Sequence, residues 1–219
     1  MSAALDRKLL AWILTPIAIL FLYMNIWITY QYHRGRLYDS DNMTKNYYWR
    51  VAGRWSTPEK TSILQENVDL FEGTPKNLRA IYEQNFRNDT GALYVPHKDS
   101  TGKSLRLDKD HQLSNTYRFP FDGKNATWLR VQGTFHCSEK EYDIWKMTQF
   151  VVRLMNKDKV VKENMLRVYH FLDKGQTKDL SLDMELPSAT FDSVNIFIWN
   201  AGSEQSLLID DLKAWSFKD

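Results

Sequence analysis

The chain has 219 residues, 43% hydrophobic and 14% aromatic, enough apolar material to bury a core and too much for a disordered protein. Its formal charge is +2, and Arg7, Lys8, Arg34 and Arg36 stand against only Asp6 within residues 1–36, so the remainder is slightly acidic and nucleic acid is not expected as a partner. The single cysteine, Cys137, excludes an internal disulfide framework and a thiolate metal cluster, and is expected to be a small buried residue.

In chain order, the first element is the uncharged run Leu9–Tyr30, "LLAWILTPIAILFLYMNIWITY". At 1.5 Å per residue a helix of this length crosses the hydrocarbon of a bilayer. Trp12 lies towards one end, with Trp27, Tyr30 and Tyr32 at the other, where amphipathic rings meet the two headgroup levels. Pro16 predicts a slight bend. The run is too long for a cleaved signal peptide, and no small-x-small site follows it, so residues 1–36 are expected to be a retained transmembrane anchor with its flanks. The basic residues on either side balance, leaving orientation undecided by charge; an uncleaved export signal would place the larger domain outside the cytoplasm, in the cell membrane of the envelope.

Residues 37–66 are a connector dense in aromatics, "NYYWRVAGRW" at its centre. An early strand packed on the following domain is the plain expectation; a sugar-stacking platform and a docking surface for another membrane protein are the alternatives.

Beyond Asn67 the hydrophobic period becomes two. "TWLRVQGTF" alternates Leu129, Val131, Gly133 and Phe135 against Trp128, Arg130, Gln132 and Thr134, and "QFVVRLMN" and "SVNIFIWN" alternate likewise. Further strands are expected at Val68–Phe71, Ser104–Leu107, Thr116–Phe121, Val160–Tyr169, Lys178–Glu185 and Leu207–Phe217, between turns such as "NDTG", "FDGKN" and "LDKGQ". Residues 74–86, "TPKNLRAIYEQNF", are ambiguous, with a single helical turn as one reading. Many short strands without a long amphipathic helix between them predict a mainly β fold, an antiparallel β-sandwich or jelly roll over residues 67–219, preceded by one N-terminal transmembrane helix.

Four pieces, "NVDLFEGT", "SLRLD", "SLDMELPSATFDSVNIFIWN" and the terminal "LLIDDLKAW", together resemble the carbohydrate-binding-module-like jelly rolls, also called galactose-binding-like domains. Similar sandwiches are attached to glycoside hydrolases and to envelope proteins of Bacteroidota. The resemblance implies adjacent first and last strands tied by a structural calcium ion, with Glu72 and Asp210 as ligands and Asp211 as the alternate. Calcium takes six to eight oxygens, so two acids would need loop carbonyls beside them. The metal-free alternative has one acid facing solvent and the other bonded to nearby amides. Adjacent residues on a regular strand point to opposite faces, so Asp210 and Asp211 could share one site only if a bulge re-aimed one of them.

No nucleophile elbow, phosphate-binding glycine loop or dinucleotide fingerprint is present, and the histidines, His33, His97, His111, His136 and His170, show no metal spacing. Binding is therefore expected in preference to catalysis. Sugar recognition joins aromatic faces to amide and charged groups that satisfy hydroxyls. The candidates are Trp128, Tyr142, Trp145, Trp199, Asn200, Tyr94 and Arg118, with the loop 136–147 the most promising stretch. The expected partners are the lipid bilayer and a glycan or polysaccharide. The alternative is an accessory subunit of a polysaccharide-synthesis or export complex, its helix bonded through Asn25 and Thr29 to a multi-span protein.

Overall fold

A computed structural model describes residues 2–34, 44–56, 62–96, 102–139 and 145–219. The chain divides into two compact units, residues 1–65 and 66–219.

In the first unit, α1 (Ser2–His33) carries Pro16 inside it, and its stretch Lys8–His33 is long and apolar enough to cross a membrane. Where it is described, the aromatic connector is helical and not a strand. It forms a helix, α2 (Lys45–Val51), because Thr44 supplies an N-cap: its Oγ1 accepts the Tyr47 amide at 3.0 Å and donates to the Leu64 carbonyl. Tyr47 and Val51 are its buried face, four residues apart as one helix face requires.

The second unit is an antiparallel β-sandwich. Its strands are β1 (Lys76–Gln84), β2 (Tyr94–Pro96), β3 (Lys103–Leu107), β4 (Tyr117–Pro120), β5 (Trp128–Cys137), β6 (Gln149–Asn156), β7 (Lys159–Arg167), β8 (Thr177–Glu185), β9 (Ser193–Trp199) and β10 (Leu207–Lys218). One sheet runs β2-β3-β10-β5-β8, with β1 also paired to β10; the other runs β4-β9-β6-β7. The alternation read in β5 is real: Leu129, Val131, Phe135 and Cys137 point inward, as do Phe150, Val152 and Leu154 of β6 and Val194, Ile196 and Ile198 of β9. Phe135 meets Phe150 edge-on across the interior, ring centroids 5.3 Å apart.

Three local expectations change. Within the ambiguous stretch 74–86, Lys76–Gln84 form β1 and not a helical turn: without β1 the second half of β10 would lack a partner on that side, and Gln84 to Lys76 pair there with Leu212 to Lys218 through two register shifts. Val68–Phe71 is not a strand; it is a crossing segment that makes single bridges, Asn67 to Met165 of β7 and Asp69 to Asp183 of β8, and so closes one edge of the sandwich. Strand β7 ends at Arg167, after which Val168–His170 turns as a short 3-10 helix.

The Asp210–Asp211 pair sits on a bulge. Ile209 pairs with Phe135 and Leu212 with Gly133, so two residues of β10 oppose Thr134 alone. Both acids are half-buried between the fully buried Ile209 and Leu212, on the outer side of the sheet. Each turns to a different neighbour: Asp210 accepts the Ser104 hydroxyl of β3 at 2.6 Å, and Asp211 accepts the Thr134 hydroxyl of β5 at 2.9 Å and pairs with Lys213 at 2.9 Å. The bulge lies where the neighbour of β10 changes from β3, paired as far as Ile209, to β1, paired from Leu212.

Candidate functional site

The crossing segment closes the β7/β8 edge, and the opposite edge is closed only in part. There Tyr82 of β1 stacks on Phe119 of β4, centroids 4.5 Å apart at 11°, and Phe86, Tyr94 and Tyr117 pack beyond them. Burial, the neighbouring Tyr94 hydroxyl and the Asp89 charge push the Tyr117 phenol well above its usual range, so it stays neutral.

In the other direction from Tyr82 the edge opens into a cleft of about 630 Å³. One wall is β1 at Arg79–Ile81 with Ser216 of β10; the other is the end of β4, the turn Phe121–Asn125, and the pair Phe191–Asp192 that leads into β9. Its size falls within the range of small-ligand sites, and its lining is mainly polar.

The turn is held in shape by its own residues. Asp122 Oδ1 accepts the Lys124 amide at 3.1 Å, and its Oδ2 pairs with Lys124 Nζ at 2.7 Å. Gly123 has φ +71°, and a Cβ there would lie 2.6 Å from the Phe191 ring, so both backbone and packing require glycine. Phe121 and Phe191 stand 5.9 Å apart at 44°, and the Phe121 amide donates to the Asp192 carbonyl at 3.0 Å. Asp192 accepts the Ser193 hydroxyl at 2.6 Å and the Lys157 amide at 2.8 Å, with Arg118 Nη2 at 3.8 Å.

Two carboxylates thus line one cleft, which raises the question of glycosidic cleavage. The Lys124 ammonium and amide hold Asp122 below the ordinary carboxylate range; the Ser193 hydroxyl and Lys157 amide do the same for Asp192. A cleaving pair needs one acid kept protonated near neutrality, and neither meets that need. What the cleft offers is apolar ring surface beside charged and amide groups.

The residues expected from sequence are spread over the sandwich. Arg118, exposed on β4, reaches the cleft's rim through Asp192. Tyr94 is engaged in the aromatic edge, its hydroxyl 3.4 Å from that of Tyr117 and accepting the Asn115 amide at 3.2 Å. Trp128 stacks on Phe217 and meets Phe71 edge-on, part of a cluster on the outer face of the larger sheet. Trp145 and Trp199 are 70% and 44% exposed; Trp199 pairs in register with Gln149, away from the cleft strands β1 and β10. Asn200 is fully buried and uses its amide internally, accepting from Thr148 at 2.5 Å and donating to the Ser203 carbonyl at 3.0 Å. Tyr142 and His97 lie outside the described residues.

Glu72 does not meet the acids of the bulge. It follows Phe71, which packs on Phe217, and Asp210 is seven residues back along β10, about 23 Å at the rise of a strand. Among the described residues no three His, Cys, Asp or Glu side chains group as metal ligands.

Sequence reasoning missed Arg79, Phe121, Asp122, Lys124, Asn125, Phe191 and Asp192 as cleft residues. A cue was present in the repeated Phe-Asp dipeptide, Phe121–Asp122 just after β4 and Phe191–Asp192 just before β9. It also missed the buried Glu66, which accepts the Arg167 amide at 2.9 Å and lies 2.5 Å from His170 Nδ1.

No family model matches the chain, and neither does any curated protein. Among solved structures, a family 16 carbohydrate-binding module is 13% identical, with a TM-score of 0.38 over 53% of this chain and 78% of its own. A xylan-binding domain from Paenibacillus barcinonensis is 10% identical, with a TM-score of 0.38 over 67% of this chain and 99% of its own. The infectious bursal disease virus VP2 subviral particle is 14% identical, with a TM-score of 0.39 over 66% of this chain and 34% of its own. Likenesses of this strength carry no argument about ligand.

Proposed function

We propose that this chain is a membrane-anchored, non-catalytic module that binds a glycan of the cell envelope in the cleft between β1 and the Phe121–Asn125 turn. The observation that carries the reading is the cleft's lining: two phenylalanines beside Arg79, Asp122, Lys124, Asn125 and Asp192 in about 630 Å³. Ring faces suit the apolar side of a pyranose, and amide, guanidinium, ammonium and carboxylate groups together donate to and accept from hydroxyls. Fixed, lowered carboxylates favour holding a sugar over cleaving it. The helix α1 keeps the module at the bilayer, with the sandwich outside the cytoplasm.

The test is a titration of full-length protein in nanodiscs, which avoids sugar detergents, against a panel of neutral and acidic oligosaccharides. Saturable binding to at least one class, weakened about ten-fold or more by Arg79→Ala or Asn125→Ala through loss of a direct hydrogen bond, is the expected result. Absence of saturable binding across the panel, or binding indifferent to both substitutions, would overturn the proposal.

A further inference from the structure

The first unit contains an arrangement that glycan binding does not use. After α2 the chain turns back against α1, and that turn is fastened by side chains spaced along one helix face. The Tyr23 hydroxyl donates to the Gly53 carbonyl at 3.1 Å. Trp27 Nε1 and Gln31 Nε2 both donate to the Arg54 carbonyl, at 2.7 and 2.6 Å. Trp55 meets Tyr23 and Tyr30 edge-on, centroids 6.0 and 5.1 Å apart. Positions 23, 27, 30 and 31 follow the four-and-seven spacing of a single face.

The level of this turn follows from helix geometry. The apolar run Leu9–Tyr30 rises about 33 Å, close to the roughly 30 Å of bilayer hydrocarbon. Tyr23–Gln31 spans about 12 Å and ends one residue past the run. With the run centred in a bilayer, Tyr23 lies about 10 Å inside the edge of the hydrocarbon and Gln31 about 2 Å beyond it, so the turn lies beside the helix from the outer part of the acyl chains up to the headgroups. Irregular backbone survives at such a level only if its polar groups are matched within the protein. The Gly53 and Arg54 carbonyls have those matches, and the Arg54 amide donates to the Val51 carbonyl at 3.0 Å.

The surface around the turn has interfacial chemistry. Trp49 is 68% exposed and Trp55 48%, Lys45, Arg50 and Arg54 are exposed beside them, and Ile26 and Ile28 remain uncovered elsewhere on the same stretch of helix. Tryptophan concentrates where acyl chains meet headgroups, and cations there face lipid phosphates.

We infer that residues 45–55 form a membrane-interface element: the turn lies alongside α1 within the interface, Trp49 and Trp55 enter the boundary between headgroups and acyl chains, and Arg50 and Arg54 engage phospholipid phosphates. The occupant of this surface is the bilayer itself. The inference rests on α1 crossing a membrane and is independent of what the cleft binds.

The experiment uses full-length protein in phosphatidylcholine–phosphatidylglycerol nanodiscs. Nitroxide labels are placed by Trp49→Cys and, as an aqueous reference on β7, by Val160→Cys, each in a Cys137→Ser background. The expected result is an oxygen-to-nickel-chelate accessibility ratio several-fold higher at position 49 than at position 160. Equal ratios would overturn the inference, and so would a label at 49 shielded from both reagents, because protein would then cover the surface. Tryptophan quenching by lipids brominated near the carboxyl end of the acyl chain is the second readout, made without labels. It should fall in the Trp49→Phe/Trp55→Phe double variant; unchanged quenching would also overturn the inference.

Discussion

Replacing Glu66 by alanine removes the acceptor at the centre of a buried cluster. The Glu66 side chain is 0% exposed, and those of Arg167 and His170 are 12% and 15% exposed. Its carboxylate accepts the Arg167 backbone amide at 2.9 Å and Arg167 Nε at 3.1 Å, and lies 2.5 Å from His170 Nδ1. The alanine variant takes the Glu66 carboxylate away from a mostly buried guanidinium, a loss of about 3–5 kcal/mol. Glu66→Gln keeps the volume and a carbonyl for the amide but loses the charge-assisted bond, about 1.5–3 kcal/mol. Adding Arg167→Met to Glu66→Ala should recover part of the stability, because the buried charge that lost the Glu66 carboxylate is then gone. For a domain of this size each kcal/mol moves Tm by roughly 2–4 °C, so Glu66→Ala should lower it by about 6–20 °C. Thermal unfolding of the full chain followed by the circular dichroism of its strands reads this directly, since α1 contributes a helical signal of different shape. A Tm within about 2 °C of the parent, or a glutamine variant as damaged as the alanine variant, would refute the reasoning.

Gly123→Ala places a Cβ at positive φ against the Phe191 ring, and a loss of about 1–3 kcal/mol in urea unfolding is expected; an unchanged midpoint would show that the turn relaxes without cost. Asn200→Ala takes the Oδ1 acceptor from the buried Thr148 hydroxyl and one of two donors from the Ser203 carbonyl, which keeps Gln112 Nε2 at 3.1 Å; stability should fall by about 1–3 kcal/mol, measured the same way. In the turn after β3, burial raises the Asp108 pKa, but the His111 and Asp110 amides, the His111 side chain and Arg106 outweigh it and hold the carboxyl below its ordinary 3.8. Its folded pKa is thus below the unfolded one, so its stabilisation is complete above about pH 4 and fades as pH falls through the lower folded value. Asp108→Asn should therefore be less stable than the parent at neutral pH and indistinguishable from it in strong acid; a gap that persists in acid would contradict this.

The strands that could be read in advance are those with one face in the core. In β5, β6 and β9 every second residue is buried, and that constraint leaves a period-two trace in the sequence. Strand β1 is exposed along Lys76–Ala80 and at most half-buried after that, so it leaves no such trace; β10 makes it a strand. The connector's aromatics suit strands by propensity, and the single hydroxyl of Thr44 tips them into a helix. The two adjacent acids of β10 could not be resolved by alternation, because a bulge breaks alternation at that point. The cleft was hidden for a related reason. Its residues come from four separated segments, two of them the lead-in and exit of strands, and only the pairing of β4 with β9 and of β1 with β10 brings them together.

Hydrogen–deuterium exchange of full-length protein in nanodiscs, with and without saturating oligosaccharide from the class that binds, tests the central claim most directly. The account predicts slowed exchange confined to residues 79–81, 120–125 and 191–193, the backbone that lines or abuts the cleft. Protection at 145–150 and 197–200 instead, with the cleft segments unchanged, would contradict it and move the site to the exposed tryptophans, Trp145 and Trp199.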